Sequence, residues 1–388
     1  MSGTGGAMSG TAGGANLLAL RSHNTALVLG LLRAAGDEGV SRLELAARTG
    51  LTPQAVSKIT ARLRMDGLAV QAGRRASTGG KPPTLLRLVP QARHAVGVHL
   101  DRDELRTVLV DLVGTVVGER STPLNLGAGA QAVVEAVARE AEGLVTDVLP
   151  PSGSAGSGTP TAALAAAGSL LGLGVALPGP LDHTRGVLHR VTGFPEWDGF
   201  PLRDTLARRL GAPVVVDKDT NAAALGLAVG GESGSFSYLH LGTGLGAGLV
   251  IGGTVHRGPR TGAGEFGHQV IQLDGPPCTC GNRGCIEALC LGAVARGAYG
   301  EAARVLGEGA ANLAGLLDID LVLLGGRTVA AAPDAFADGV AAVLAARARR
   351  EGGAEGAVPV RIAPGGARAV AEGAAQLLLA PLFGRPDH

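Results

Sequence analysis

Lysine is nearly absent from this 388-residue chain: only three of its 34 basic residues are Lys. With 64 Gly and a heavy Ala and Arg content, this bias is that of a GC-rich genome, so bulk composition names no function. The glycine and the 21 proline residues follow no G-x-y period, which excludes collagen. Cysteine is scarce too, with four residues, all between 278 and 290. A disulfide framework would spread them along the chain, so the cluster points to a local metal site in a reducing compartment. The first twenty residues carry no charge and hence no basic n-region, so no secretory signal is expected and the chain is placed in the cytoplasm. The uncharged run 161–181 is long enough to mimic a membrane span. Its Ala, Gly and Pro content favours a loop or helix followed by a buried strand, and no membrane association is expected.

What is present is enough apolar residue, 46 %, for a sizeable core, and a charge asymmetry. The formal net charge of +1 hides it. Residues 1–94 hold twelve Arg or Lys against four Asp or Glu, a net of +8, while the remainder is net −7. Such a split indicates a polyanion-binding module attached to an acidic domain.

The pattern inside the basic module specifies the polyanion. Residues 22–35 read as a helix with Leu27, Leu31, Leu32 and Ala35 on its apolar face. Ser41 and Glu44 form a capping box that opens a second helix, stopped by Gly50. Thr52 and Pro53 then suit the N-cap and first position of a third helix, PQAVSKITARLRMD, with Val56, Ile59 and Leu63 buried. Two helices across a tight turn are the helix-turn-helix plan for the major groove of duplex DNA. LAVQAG and TLLRLV read as strands flanking the basic hairpin RRASTGGKPP, a wing. Gln54, Ser57 and Lys58 are candidates for base edges, and Arg62, Arg74, Arg75 and Lys81 for phosphates or the minor groove.

From residue 95 the texture is α/β. AVGVHLD, ELRTVLVDL and TVVGERST suggest an antiparallel meander, followed by a helix at 130–148 and a low-complexity loop at 151–160. Further strands and helices alternate to the end, with glycine turns at LGTGLGAGL and after DLVLL. GEFGHQ followed by CTCGNRGCIE supplies His268, Cys278, Cys280 and Cys285, a complete donor set for tetrahedral zinc with no open position. Cys290 is the alternative fourth sulfur. Its place among Leu289 and Leu291 favours a core role and hence His268 as ligand.

Together, LRSHN, SRLELAARTGLTPQAVSKI, GGKPP, LPGPLD, DKDTNAAALG, LGTGLGAGL, GAGEFGH and CTCGNRGCIE resemble the ROK family (repressors, open reading frames and kinases) over roughly 17–383. The resemblance implies a winged helix-turn-helix at 17–92 after a disordered tail at 1–16. It also implies a two-lobed, actin-like (ribonuclease-H-like) sugar-kinase domain at 93–388, and a homodimer or homotetramer. Carried over by motif, sugar contacts fall on Asp219, Glu265, His268 and Glu287, Asp219 matching the kinases' catalytic base.

Four departures bear on activity. HLDRDELRT stands where the kinases carry D-x-G-x-T for ATP phosphates, and Lys218 replaces the Asn before the catalytic aspartate. GFPEW lacks an expected Asn upstream of Trp197, and the stretch from Cys285 to Gly325 is about forty residues short. The reading is therefore a regulator, not an enzyme, with structural zinc, no use of ATP, a duplex operator and a sugar-like effector. An ATP-dependent sugar kinase with an accessory winged helix is the alternative.

Overall fold

The computed structural model describes residues 23–74, 83–149, 164, 167–191, 194–352 and 356–385. The chain divides into two compact units, Met1–Arg93 with Leu379–His388, and His94–Leu378. The last ten residues thus group with the N-terminal unit and not with the domain that precedes them in sequence.

In the first unit, helices α1 (His23–Ala35), α2 (Arg42–Thr49) and α3 (Pro53–Met65) pack with strands β1 (Val40–Ser41), β2 (Ala69–Arg74) and β3 (Thr84–Leu88), in sheet order β1-β3-β2. The local signals act as their chemistry dictates. Ser41 Oγ accepts from the Glu44 backbone N–H at 3.2 Å while Glu44 Oε2 accepts from Ser41 N at 2.8 Å, the reciprocal box that starts α2. Gly50 ends α2 in the left-handed region at φ 71°, and Thr52 Oγ1 accepts from Ala55 N to start α3.

Two faces differ from the sequence reading. On α1 the buried residues are Thr25, Ala26, Val28, Leu29 and Leu32, while Leu27 is 37 % exposed. Thr25, Val28, Leu29 and Leu32 follow the i, i+3, i+4, i+7 stripe, one step round from the leucine-led face. On α3, Thr60 is buried and Ile59 half-buried. The Thr60 hydroxyl tolerates this because it donates to Val56 O at 2.8 Å, inside the helix. The C-terminal segment adds a turn at Ala380–Phe383, where the Arg33 guanidinium lies 4.6 Å from the Phe383 ring.

The second unit contains two five-stranded sheets and a two-stranded antiparallel hairpin, β8 (Leu181–Asp182) with β9 (Val187–Leu188). One five-stranded sheet has order β10-β7-β4-β5-β6, from Val214–Lys218, Leu170–Leu177, His94–Leu100, Glu104–Asp111 and Val116–Pro123. The meander is its antiparallel β4–β5–β6 portion, and β7 joins β4 in parallel. The other has order β13-β12-β11-β14-β15, from Thr254–Val255, Leu245–Ile251, Phe236–Leu241, Leu321–Gly325 and Val360–Ile362. Helices α4 (Ala130–Val148) and α5 (Leu202–Leu210) cover the first sheet around Trp197 and Leu206. On the second, α7 (Ile286–Ala295), α8 (Tyr299–Leu317), the short α9 (Arg327–Ala331) and α10 (Pro333–Arg350) gather round Phe266, Leu306 and Phe336.

Two further helices, α6 (Asp219–Val229) and α11 (Ala369–Leu379), pack close because glycine lets backbones touch. A Cβ at Gly97 or Gly174 would collide with the carbonyl oxygens of Ala371 and Ala374, so α11 lies directly on β4 and β7. Part of the glycine excess therefore has a packing cause. Among the described residues, no helix is long and apolar enough to cross a membrane.

Candidate functional site

The strand β10 ends at Lys218 and α6 begins at Asp219, so two adjacent residues enter the site from one junction. Buried Asp217 fixes that junction. It accepts from Arg257 Nε at 2.7 Å, Asn221 Nδ2 at 2.9 Å and the Lys218 backbone N–H at 2.7 Å. Glu265 precedes the short 3₁₀ turn at Phe266–His268, His268 ends it, and Glu287 lies in the first turn of α7. Asp219, Glu265, His268 and Glu287 line one pocket of about 80 Å³, with Asp101 and Lys218.

The pocket is internally committed to an extent that the sequence did not reveal. Lys218 Nζ donates to Ala263 O at 2.6 Å and to Glu265 Oε1 at 2.9 Å, so one of the candidate acceptors is already ion-paired. Glu287 Oε2 accepts from Leu245 N at 2.8 Å, which ties α7 to the start of β12. Each carboxylate retains further lone-pair sites for hydroxyl donors.

Beside the pocket, Arg327 is held by Asp101 at 2.8 Å and by both carboxylate oxygens of Asp103. Burial alone would raise the Asp101 carboxyl. The Thr243 hydroxyl, His99, the Arg102 N–H and Arg327 outweigh it and hold the group below the usual carboxylate range. Hydrogen bonds and charges from Asp103 and Asp101 outweigh burial and push the Arg327 guanidinium up. The segment HLDRDELRT thus contributes Asp101 and Asp103 to a closed ion-pair cluster with Arg327.

Next to the pocket, His268, Cys278, Cys280 and Cys285 bring one donor atom each within 4.8 Å of all the others. The Cys280–Cys285 sulfur distance and the Cys278 Sγ to His268 Nδ1 distance are both 3.8 Å. Two thiolates bound tetrahedrally at 2.3 Å from one zinc stand about 3.8 Å apart, so the donor set fits such an ion. The chain reaches this geometry by wrapping tightly at Gly284, where a Cβ would strike Gln272 O. Cys290 lies outside the cluster and its thiol donates to Ala302 O at 3.6 Å. Burial pushes that thiol up to about 12, so it stays protonated in the core.

On α3, Gln54, Ser57, Lys58 and Arg62 are all exposed, and Arg62 lies 3.8 Å from Asp66. The backbone of Arg74 closes β2, while Arg75 and Lys81 fall outside the described residues, as do the tail at 1–16 and the loop at 151–160.

Residues 161–300 match the ROK family model. The chain carries a ROK family domain. The xylose repressor of Caldicellulosiruptor bescii is 30 % identical over 251 residues, 64 % of this chain and 59 % of the repressor. The chain thus spans about three fifths of the length of such curated relatives. A ROK family hexokinase from Thermus thermophilus is 29 % identical, with TM-score 0.58, over 75 % of this chain and 99 % of its own. A ROK family transcriptional regulator, homologue of the Escherichia coli MLC protein, has TM-score 0.74 over 94 % of this chain and 97 % of its own. At 20 % identity that likeness shows the fold: a winged helix-turn-helix with the two-lobed kinase-like architecture of the ROK domain.

Proposed function

We propose that the chain is a DNA-binding transcriptional repressor whose ROK domain takes a sugar or related metabolite as effector and does not phosphorylate it. The observation that carries this is the exposed polar row Gln54, Ser57, Lys58 and Arg62 on α3, within a module of net charge +8. A helix braced by an N-cap and a buried apolar stripe presents that row rigidly, as base readout requires. The name of the xylose repressor relative supports the same reading.

The protein works in the cytoplasm as a homodimer or homotetramer, since two recognition helices on one operator need two copies. Effector binding shifts the assembly toward an arrangement with lower operator affinity, by as much as the effector prefers that arrangement. Asp219, Glu265, His268 and Glu287 bind the effector's hydroxyls. Zinc held by His268 Nδ1, Cys278, Cys280 and Cys285 supplies a structural crosslink that positions His268 and, two residues beyond Cys285, Glu287.

Two observations favour the kinase reading: Asp219 sits in the pocket, and the Thermus hexokinase is the more identical of the two structures. The Arg327 cluster opposes it, because phosphoryl transfer depends on positioning and neutralising phosphates. The test is selection of genomic duplex fragments at low salt, run beside an assay with ATP, magnesium and a sugar panel. The repressor reading expects a retained fragment and no sugar phosphate. Sugar phosphate without a retained fragment would overturn it.

A further inference from the structure

The sulfurs of the metal cluster differ in access. Cys280 is exposed, whereas Cys278 and Cys285 are buried, as is Cys290 in the core beyond them. A small oxidant in solvent therefore meets Cys280 first. A thiolate oxidised alone to the sulfenic acid is open to further, irreversible steps unless a second thiol condenses with it. Cys280 has that second thiol at hand, since the Cys285 sulfur stands 3.8 Å away.

The two sulfurs are held unequally. Cys285 is fixed by the backbone on both sides: Ile271 N donates to Gly284 O at 3.0 Å and Ile286 N donates to Gln269 O at 2.9 Å. Gly281, beside Cys280, faces open space, with nothing within 4 Å of where a Cβ would stand. Closing 3.8 Å to the roughly 2.05 Å of a disulfide asks a shift of under about 2 Å, and Cys280 is the partner free to make it. Cys278 is tied across the turn instead. Its N–H donates to Asn282 O at 2.8 Å, its carbonyl accepts from Gly281 N at 3.0 Å, and its sulfur lies 3.8 Å from His268 Nδ1.

We propose that Cys280 and Cys285 form a peroxide-sensitive pair whose oxidation to a disulfide dismantles the zinc site. The Cys280 thiolate attacks one oxygen of hydrogen peroxide; the O–O bond breaks, hydroxide leaves, and Cys280 becomes a sulfenic acid. The Cys285 thiolate then attacks the Cys280 sulfur; the S–S bond forms and a second hydroxide leaves. The two sulfurs give up two electrons between them, the peroxide takes them, and two protons from solvent turn the hydroxides into water. Only His268 and Cys278 then remain as donors, too few to hold zinc. The switch rests on the zinc reading above and goes beyond it: the crosslink that positions His268 is reversible and set by oxidant.

The test treats the full chain, its zinc counted beforehand, with a small molar excess of hydrogen peroxide beside a zinc-binding dye. Release of about one zinc per chain is expected, with a lower melting temperature, and dithiothreitol with added zinc should restore both. Trypsin cuts after Arg260, Arg283 and Arg296, so the disulfide would join residues 261–283 to residues 284–296. Fragmentation of the joined peptides should place the bond on Cys280 and Cys285. Cys290→Ser should respond as the wild type does. A chain that holds no zinc before treatment would overturn the metal site and the switch together. Zinc retained through peroxide, a bond between Cys278 and Cys280 or to Cys290, or a zinc loss that dithiothreitol does not reverse would overturn the switch and leave the metal site standing.

Discussion

Lys218 Nζ meets Glu265 Oε1 at 2.9 Å, and the lysine is the hidden partner: its side chain is 3 % exposed, against 43 % for the glutamate. That asymmetry sets the cost of deleting each. Glu265→Ala leaves a buried ammonium with only the Ala263 carbonyl and is expected to destabilise by about 3 kcal/mol. Lys218→Met leaves a carboxylate that water reaches and fills the space with an apolar chain, at a cost below about 1.5 kcal/mol. Urea unfolding of both variants checks the order, and a larger loss for Lys218→Met would contradict it.

The same pair sets a prediction for the effector. Lys218→Asn releases Glu265 to accept hydroxyl donors, so affinity for whichever sugar stabilises the wild type should rise by about tenfold. Sugar is expected to remain unphosphorylated when ATP and magnesium are added, because HLDRDELRT, ion-paired to Arg327 through Asp101 and Asp103, still offers no glycine turn for the phosphates. Calorimetry gives the first answer and a phosphorylation assay the second. Unchanged sugar affinity would remove Glu265 from the binding set.

The metal cluster yields a third. Protein purified without chelators should contain about one zinc per chain. Cys280→Ser should lose it, and with it both thermal stability and sugar response, since Cys285 caps the helix that carries Glu287. Cys290→Ser should keep the metal. Elemental analysis of the three proteins decides, and a metal-free wild type would count against the site.

Asp101 gives a pH dependence. Its carboxyl is held below its ordinary value of 3.8, so the folded state binds that proton less readily than the unfolded chain does. The stabilisation is present above 3.8 and fades as pH falls through the lower folded value. Asp101→Asn should therefore be less stable than wild type at pH 7 by roughly 1–3 kcal/mol, with the gap narrower at a second pH below 3.8. Urea unfolding at both pH values tests this; a gap that widens in acid would show the wrong sign.

The parts legible in the sequence were those written in adjacent residues. The capping box at Ser41 and Glu44, the turn after Gly50, and the C-x-C and G-x-x-G-C spacings each act over a few positions, and each appears where its local chemistry placed it. The α1 stripe was misread by one position because Leu27 and Leu31 outweighed the smaller Ala26 and Val28 that face the core. Unread altogether were pairs far apart in sequence. Lys218 showed as a departure from a motif, but its partner Glu265 lies 47 residues away. Arg327 sits 226 residues from Asp101 and carried no local signal. The grouping of Leu379–His388 with the N-terminal unit is likewise a tertiary fact, with no periodicity or cap to announce it.

Recognition through α3 makes a fifth kind of prediction. Lys58→Ala should weaken the retained duplex by about 1–3 kcal/mol and relax preference at one base pair, while Arg62→Ala should weaken all sequences alike and reduce the salt slope by about one. Competition with single-base variants of the duplex separates the two. Unchanged affinity and preference in Lys58→Ala would remove that residue from the readout.

The most direct measurement is fluorescence anisotropy of the full chain on its retained duplex, across a salt series, with and without the sugar that raises its melting temperature. At 100-fold over its dissociation constant, a sugar adds roughly 2.7 kcal/mol to the native state, which makes it easy to find. Binding should fall steeply with salt, and at fixed salt the sugar should lower operator affinity by about fivefold or more. An affinity that no sugar alters, or the absence of any retained duplex at low salt, would contradict a sugar-controlled repressor.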